Sequence, residues 1–167
     1  MERTLEARRE MVARADAPAA RVICEAIEVE TTTAPEFIDV TEDVTNVVDA
    51  SGVRFGQVTV FSQHTTAAIK INENEPLLLL DLARLLRQFA PPGSYYEHND
   101  FTRRTVNMNE DECANGHSHC QHLFLGSSET IPIIDGRISL GRWQRVFLIE
   151  LDHPRPRRVL INVVGTA

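Results

Sequence analysis

Residues 21–32 alternate in a way that predicts a strand: Ile23, Ile27 and Val29 share one face at period two, with Glu25 as the exception. The other face begins apolar with Val22, Cys24 and Ala26 and turns acidic at Glu28 and Glu30. Such a strand is buried on both sides at its start and on one side at its end. Residues 37–40 predict a second short strand. Thr41 reads as a helix cap, with Glu42 and Asp43 in the first turn, where the helix dipole favours negative charge. Val44, Val47 and Val48 form the inner stripe of that helix, and Gly52 stops it. Residues 56–62 and 66–72 predict two more strands. Pro76 opens a second helix and Pro91-Pro92-Gly93 closes it. Leu78, Leu82, Leu85, Leu86 and Phe89 are its expected buried face, and the leucine run 77–80 reads as core.

Residues 2–15 predict a short charged helix whose few apolar contacts are Leu5, Met11 and Val12, ended by Ala17-Pro18. Residues 94–115 form a long polar connection, of the kind that is usually functional or mobile inside a compact domain. Residues 117–125, 131–134, 137–140, 143–151 and 157–164 then predict strands, with Asp135-Gly136 as a tight hairpin turn. The expected architecture is α+β, a largely antiparallel sheet system with two core helices. Residues 1–20 are expected to be a helical extension, and residues 21–167 a single domain.

Composition narrows the partners. The 167 residues carry a net charge of −7, with 43% hydrophobic and 25% charged residues. The acidic balance disfavours nucleic acid and anionic membrane as partners and leaves room for a basic pocket that takes a small anion. No apolar run approaches the roughly 20 residues needed to cross a bilayer. The charged N-terminus lacks the apolar stretch of a secretory signal. Three cysteines, Cys24, Cys113 and Cys120, form no CxxC pair. A reduced, cytoplasmic setting is the expectation.

Candidate chemistry concentrates in polar residues on apolar elements. Read as a strand, NGHSHCQH (115–122) puts His117 and His119 on one face, where both imidazoles can reach a zinc-class cation, and turns His122 away. A third ligand would come from His64 or His98. The alternative is a set of hydrogen-bonded histidines. His64-Thr65-Thr66 offers a base or ligand beside two hydroxyls, and Asn72 and Glu73 precede a helix N-terminus, as caps or as pocket residues. Glu150 and Asp152 share strand parity and are followed by Arg155, Arg157 and Arg158, which read either as a phosphate clamp or as a salt-bridged strand end. Trp143 either stacks on a flat ring or fills the core. Cys120 has no evident activating partner. No nucleophile elbow, P-loop or dinucleotide fingerprint occurs.

Several ordered motifs together carry a resemblance: QHTTAAIKINENE, Tyr96-x-His98, Asn115-x-His117-x-His119, LGSS before IPI, DGRISLGRWQ, and Glu150-x-Asp152 followed by PRPRR. Over residues 21–165 the chain resembles the YjbQ-like family. The resemblance implies packed antiparallel sheets with flanking helices, a homotrimer, and a pocket near a subunit interface. It also implies a secondary thiamine-phosphate synthase activity. Carried over by position, His64, Thr65, Asn72, Glu73, Asp81, His98, His119, Trp143, Gln144, Glu150 and Arg158 match the pattern. His64, His98 and His119, with His117 in support, then become the expected ligands of a divalent metal, zinc or magnesium. Glu73, Glu150 and Arg158 become the expected catalytic residues, and Thr65, Thr66, Asn72, Trp143, Gln144 and Arg157 the expected contacts to a small phosphorylated molecule. The chain departs from the pattern where NENEP enters the helix early and where Arg142 stands in place of the more usual threonine. A metal-dependent hydrolase or transferase on another phosphorylated metabolite, or a non-enzymatic metal- or anion-binding trimer, is the alternative.

Overall fold

A computed structural model describes the backbone of residues 8–17 and 20–167, with side chains from residue 20 onward. A six-stranded antiparallel sheet has the order β1 (Arg8–Ala17), β2 (Ala20–Glu30), β9 (Pro156–Thr166), β4 (Phe55–Ser62), β6 (Ser128–Ile134), β7 (Arg137–Ile138). A second, three-stranded antiparallel sheet has the order β3 (Glu36–Asp39), β8 (Gln144–Glu150), β5 (Ala67–Glu73). Among the described residues three α-helices accompany the sheets: α1 (Thr41–Ser51), α2 (Pro76–Phe89) and α3 (Gly116–Leu125). The α+β expectation holds, with one helix more than the two expected.

Strand periodicity builds the core. Ile23, Ile27 and Val29 of β2, Val58 and Val60 of β4, and Val159, Ile161 and Val163 of β9 turn one face of the large sheet inward. They meet the valine stripe of α1 and Ile69, Val146 and Leu148 of the small sheet in one buried cluster. The alternate residues of β8, Phe147 and Ile149, face the other way and form a second cluster with Ala68, Leu151, Leu79, Leu86 and Leu125. The small sheet is therefore buried on both faces, which explains the unbroken apolar run of β8.

Three expectations need correction. Residues Arg8–Ala17 form a strand that pairs with β2 from Arg8↔Glu28 to Ala17↔Ala20, not a helix. Arg, Glu, Met and Ala are good helix formers alone, but an open sheet edge offers backbone partners that override weak propensity. Residues 1–7 lie outside the described residues. On α2 only Ala83 is buried, while Leu77, Leu80, Leu85 and Phe89 are exposed. Finally, residues 116–125 are helical. Elsewhere local chemistry follows the sequence closely. Asp135 and Gly136 both take positive φ (51° and 81°), as a two-residue hairpin requires. Gly52 ends α1 in the left-handed conformation. Thr41 is the first residue of α1 rather than its cap, and the Asp39 carboxylate receives its N–H at 3.0 Å.

Candidate functional site

Glu150, at the end of β8, shares parity with Val146 and Leu148 and so points between the sheets. Arg157 has the parity of Val159 and Ile161 on β9 and points there too. Glu150 is 0% exposed and Arg157 2%. The guanidinium holds the carboxylate at both ends, with Nε to Oε2 at 2.5 Å. Thr31 Oγ1 donates to Oε2 at 3.0 Å, and the N–H groups of Leu151 and Asp152 donate to Oε1 at 3.1 and 2.9 Å. Arg157 also donates to the Thr66 hydroxyl at 3.1 Å. The salt-bridged strand end is therefore present, sunk into the core, and it occupies Glu150, Arg157 and Thr66. Arg158 has the opposite parity and lies 3.8 Å from Glu28.

His64 sits in the link from β4 to β5, and its Nε2 accepts the Arg158 backbone N–H at 2.8 Å. Burial first, and the nearby Arg157 cation second, push its pKa below the usual value. Thr65 beside it is exposed.

Beyond Glu150 the chain turns, and the Asp152 carboxylate becomes a hub. It pairs with Arg155, lies 3.2 Å from His153 Nδ1, and accepts from Asn115 Nδ2 at 3.2 Å. On α3, residues two apart point in nearly opposite directions, because a helix turns about 100° per residue. The shared face expected for His117 and His119 therefore does not exist. His117 is buried against the end of β8. Ser118 Oγ gives its one proton to the Leu151 carbonyl at 2.8 Å and lies 3.1 Å from His117 Nε2. It can only accept there, so His117 carries its proton on Nε2 and its lone pair on Nδ1. That Nδ1 is buried without a hydrogen-bond partner. Burial lowers the pKa of His117 and of His119, partly opposed in each by Asp152.

His119 meets His98 edge to face, ring centroids 4.6 Å apart. Gly116 makes this possible. Its N–H donates to Asn99 Oδ1 at 2.9 Å, and a Cβ there would lie 2.6 Å from Tyr96 Cβ. Only glycine lets the short 3-10 turn Glu97–Asn99 dock on the helix start. The Nε2 of His98 is also buried without a partner. His98 borders an open cavity of ≈ 430 Å³ whose other walls are Glu97, Arg103, Arg104, Val106 and Asn107. Arg103 and Arg104 were not singled out in the sequence. Their signal is a pair of cations in the long polar connection.

The other expected residues lie at the far end of the small sheet. Ala67 pairs with Glu150, whereas Asn72 pairs with Arg145 and Glu73 with Gln144. Six strand steps separate the ends by roughly 20 Å. Trp143 is 60% exposed there, with the Arg142 guanidinium 4.5 Å from its ring centroid, so it does not fill the core. The Gln144 side-chain Oε1 accepts from the Gly141 N–H at 2.7 Å. Within one chain, then, His98 meets His119, His117 and His119 both feel the Asp152 charge, His64 adjoins the Glu150–Arg157 pair, and Asn72, Glu73, Trp143 and Gln144 stand apart.

The unpartnered imidazole nitrogens of His98 and His117 suit a metal. Nevertheless, among the described residues one group alone brings three ligand atoms within 4.8 Å of one another: Cys113, Asp152 and His153. None of the described helices is long and apolar enough to cross a membrane.

A family model described as "UPF0047 protein YjbQ-like" matches residues 25–166. A UPF0047 protein of Methanothermobacter thermautotrophicus is 42% identical over 130 residues, covering 78% of this chain and 83% of that protein. A YbjQ-like protein of unknown function from Sulfolobus solfataricus P2 superposes with TM-score 0.79 at 32% identity, covering 87% of this chain and 99% of its own. A hypothetical protein from Aeropyrum pernix K1 gives 0.76 at 33% identity, covering 85% and 98%.

Proposed function

The chain belongs to the YjbQ-like UPF0047 family, and we propose that it is an enzyme of the thiamine-phosphate synthase type acting in the cytoplasm. The observation that carries this reading is the cavity where His98 faces Arg103 and Arg104. Arg103 is paired with Glu97 and Arg104 with Glu112, and the two guanidinium groups beside His98 make a receptor for a phosphorylated small molecule that takes over those carboxylate contacts. In the proposed reaction the C–O bond between the pyrimidine methyl group and pyrophosphate breaks, with both electrons leaving on oxygen. The thiazole nitrogen forms the new C–N bond. Arginine charge stabilises the departing pyrophosphate. A divalent cation would add Lewis-acid neutralisation of the same oxygens. His98 and His119, whose rings meet, would hold it with a further donor from another copy, and imidazole ligands favour zinc over magnesium.

Coupling needs places for two substrates, and Gln144 with the neighbouring Trp143 lies six strand steps, about 20 Å, from the Glu150 end of the small sheet. The proposed homotrimer resolves this by setting the Trp143 end of one copy beside the histidine end of another. The exposed Leu77, Leu80, Leu85, Leu123 and Phe124 of α2 and α3 supply apolar surface for such an assembly. A single-substrate phosphohydrolase is the second reading, favoured by the arginine cavity lying wholly at one end.

The test is incubation of purified protein and divalent metal with both thiamine precursors. Thiamine phosphate should form, and His119→Ala should abolish it. Mixed trimers of His119→Ala and Trp143→Ala chains should regain part of it. Phosphoester turnover without a coupled product replaces this reading with the hydrolase. Binding of metal or anion with no turnover makes the protein a non-enzymatic receptor.

A further inference from the structure

We propose that Cys113, Asp152 and His153 form a zinc-class cation site, with the fourth position left to water or a ligand atom. This site uses different atoms from the His98–His119 pair, although the Asp152 charge is felt at His119 too.

The spacing of the ligand atoms carries the proposal. With metal–ligand bonds of about 2.0–2.3 Å, tetrahedral ligands stand roughly 3.3–3.7 Å from one another. Cys113 Sγ lies 3.6 Å from His153 Nδ1 and 3.9 Å from Asp152 Oδ1, and His153 Nδ1 lies 3.2 Å from Asp152 Oδ2. Each distance is within a few tenths of an ångström of such a spacing, and because the thiol and the imidazole meet different oxygens of Asp152, a small rotation of that carboxylate would turn one oxygen to both.

Asn115 adds an independent sign. It is 7% exposed and donates its amide to Asp152, yet its Oδ1 is buried with no partner. Asp152 itself is only 4% exposed, and a neutral amide does not balance a buried carboxylate, so a positive charge belongs beside it.

Such a charge is already present. The Arg155 guanidinium bonds Asp152 and lies 3.3 Å from His153 Nδ1, close to where a cation would sit. Its side chain is 35% exposed, so it can leave for solvent, and its own Nε is buried and unpartnered, so the arrangement leaves it half satisfied. Arg155 thus holds the site closed in the metal-free protein. Cys113 enters as the thiol, since burial and the Asp152 charge raise its pKa. Binding forms the metal–sulfur bond and releases the thiol proton to buffer.

The experiment titrates reduced, metal-free protein with Co²⁺. One ion per chain should produce the near-ultraviolet thiolate-to-cobalt band, with release of a proton, and Zn²⁺ should displace it. The band should vanish in Cys113→Ser, weaken in His153→Gln, and persist in Cys120→Ser and His119→Ala. X-ray absorption of the zinc-loaded wild-type protein should find one sulfur in the shell, a readout independent of any variant's folding. Absence of the band in the wild type, its survival in Cys113→Ser, or a sulfur-free zinc shell overturns the proposal. Metal that binds without a thiolate band and is lost with His119→Ala overturns this site while leaving the histidine reading intact.

Discussion

Arg157 and Glu150 are locked together in the core, guanidinium against carboxylate, at the point where β8 ends opposite β9. Removing one partner leaves a buried charge with nothing to balance it, which costs about 3–5 kcal/mol. Glu150→Gln and Arg157→Met should each lower stability by that order in urea unfolding. The double replacement Glu150→Leu with Arg157→Met should cost much less than the sum. If both carried substrate chemistry instead, the single variants would lose activity at unchanged stability.

Gly56 and Gly165 face each other across β4 and β9. A Cβ on Gly56 would lie 2.1 Å from the Val164 carbonyl oxygen, and one on Gly165 would lie 2.3 Å from that of Phe55. Backbone cannot yield as a flexible side chain does, so overpacking of about 1–3 kcal/mol or more is expected for Gly165→Ala. Gly93, where a Cβ would meet nothing within 4 Å, is the control. Gly93→Ala should be neutral or stabilise by about 0.4–1 kcal/mol through the unfolded chain. Thermal melts of the two variants check both.

The strands of the core and α1 were legible because burial imposes a period, and valine and isoleucine record it. The α3 helix was not, because its buried residues are Gly116, His117, Ser118 and Gln121. Gln121 is held there by hydrogen bonds to the Leu86 and Ala90 carbonyls, both at 3.0 Å, and a polar residue satisfied by the fold leaves no apolar trace. Read with period two, His117 and His119 suggested a shared ion. A spacing of three and four, joining Ser118, Gln121 and Leu125, was the competing signal. The candidate site was legible as a set of residue types but not as a place. That Cys113 and His153 meet depends on how the long connection docks on the turn after β8, and no local pattern records such a meeting.

The tautomer of His117 follows from Ser118, whose single proton is committed to the Leu151 carbonyl. Nitrogen NMR of imidazole-labelled, metal-free protein should show His117 neutral with its proton on Nε2. Ser118→Ala removes the acceptor of that proton, and the tautomer should shift toward Nδ1–H. A wild-type signal for Nδ1–H would mean that Ser118 does not accept the Nε2 proton.

Acid should weaken the fold through its histidines. Burial lowers the pKa of His64, His117, His119 and His122 in the folded state. The unfolded chain titrates near the ordinary value of about 6.5 and so binds protons first as pH falls. The stability from keeping these rings neutral is fully present above that value. It is lost as pH drops through the lowered folded-state pKa values. Melting temperature should therefore be flat above neutrality and decline on the acid side of pH of about 6.5, before most carboxylates titrate. Replacing His122, which lies 3.1 Å from Ser127 Oγ, with Gln should make that decline shallower. A decline confined to the range where carboxylates protonate would show instead that the acidic groups, Asp39 with its lowered pKa among them, govern acid stability.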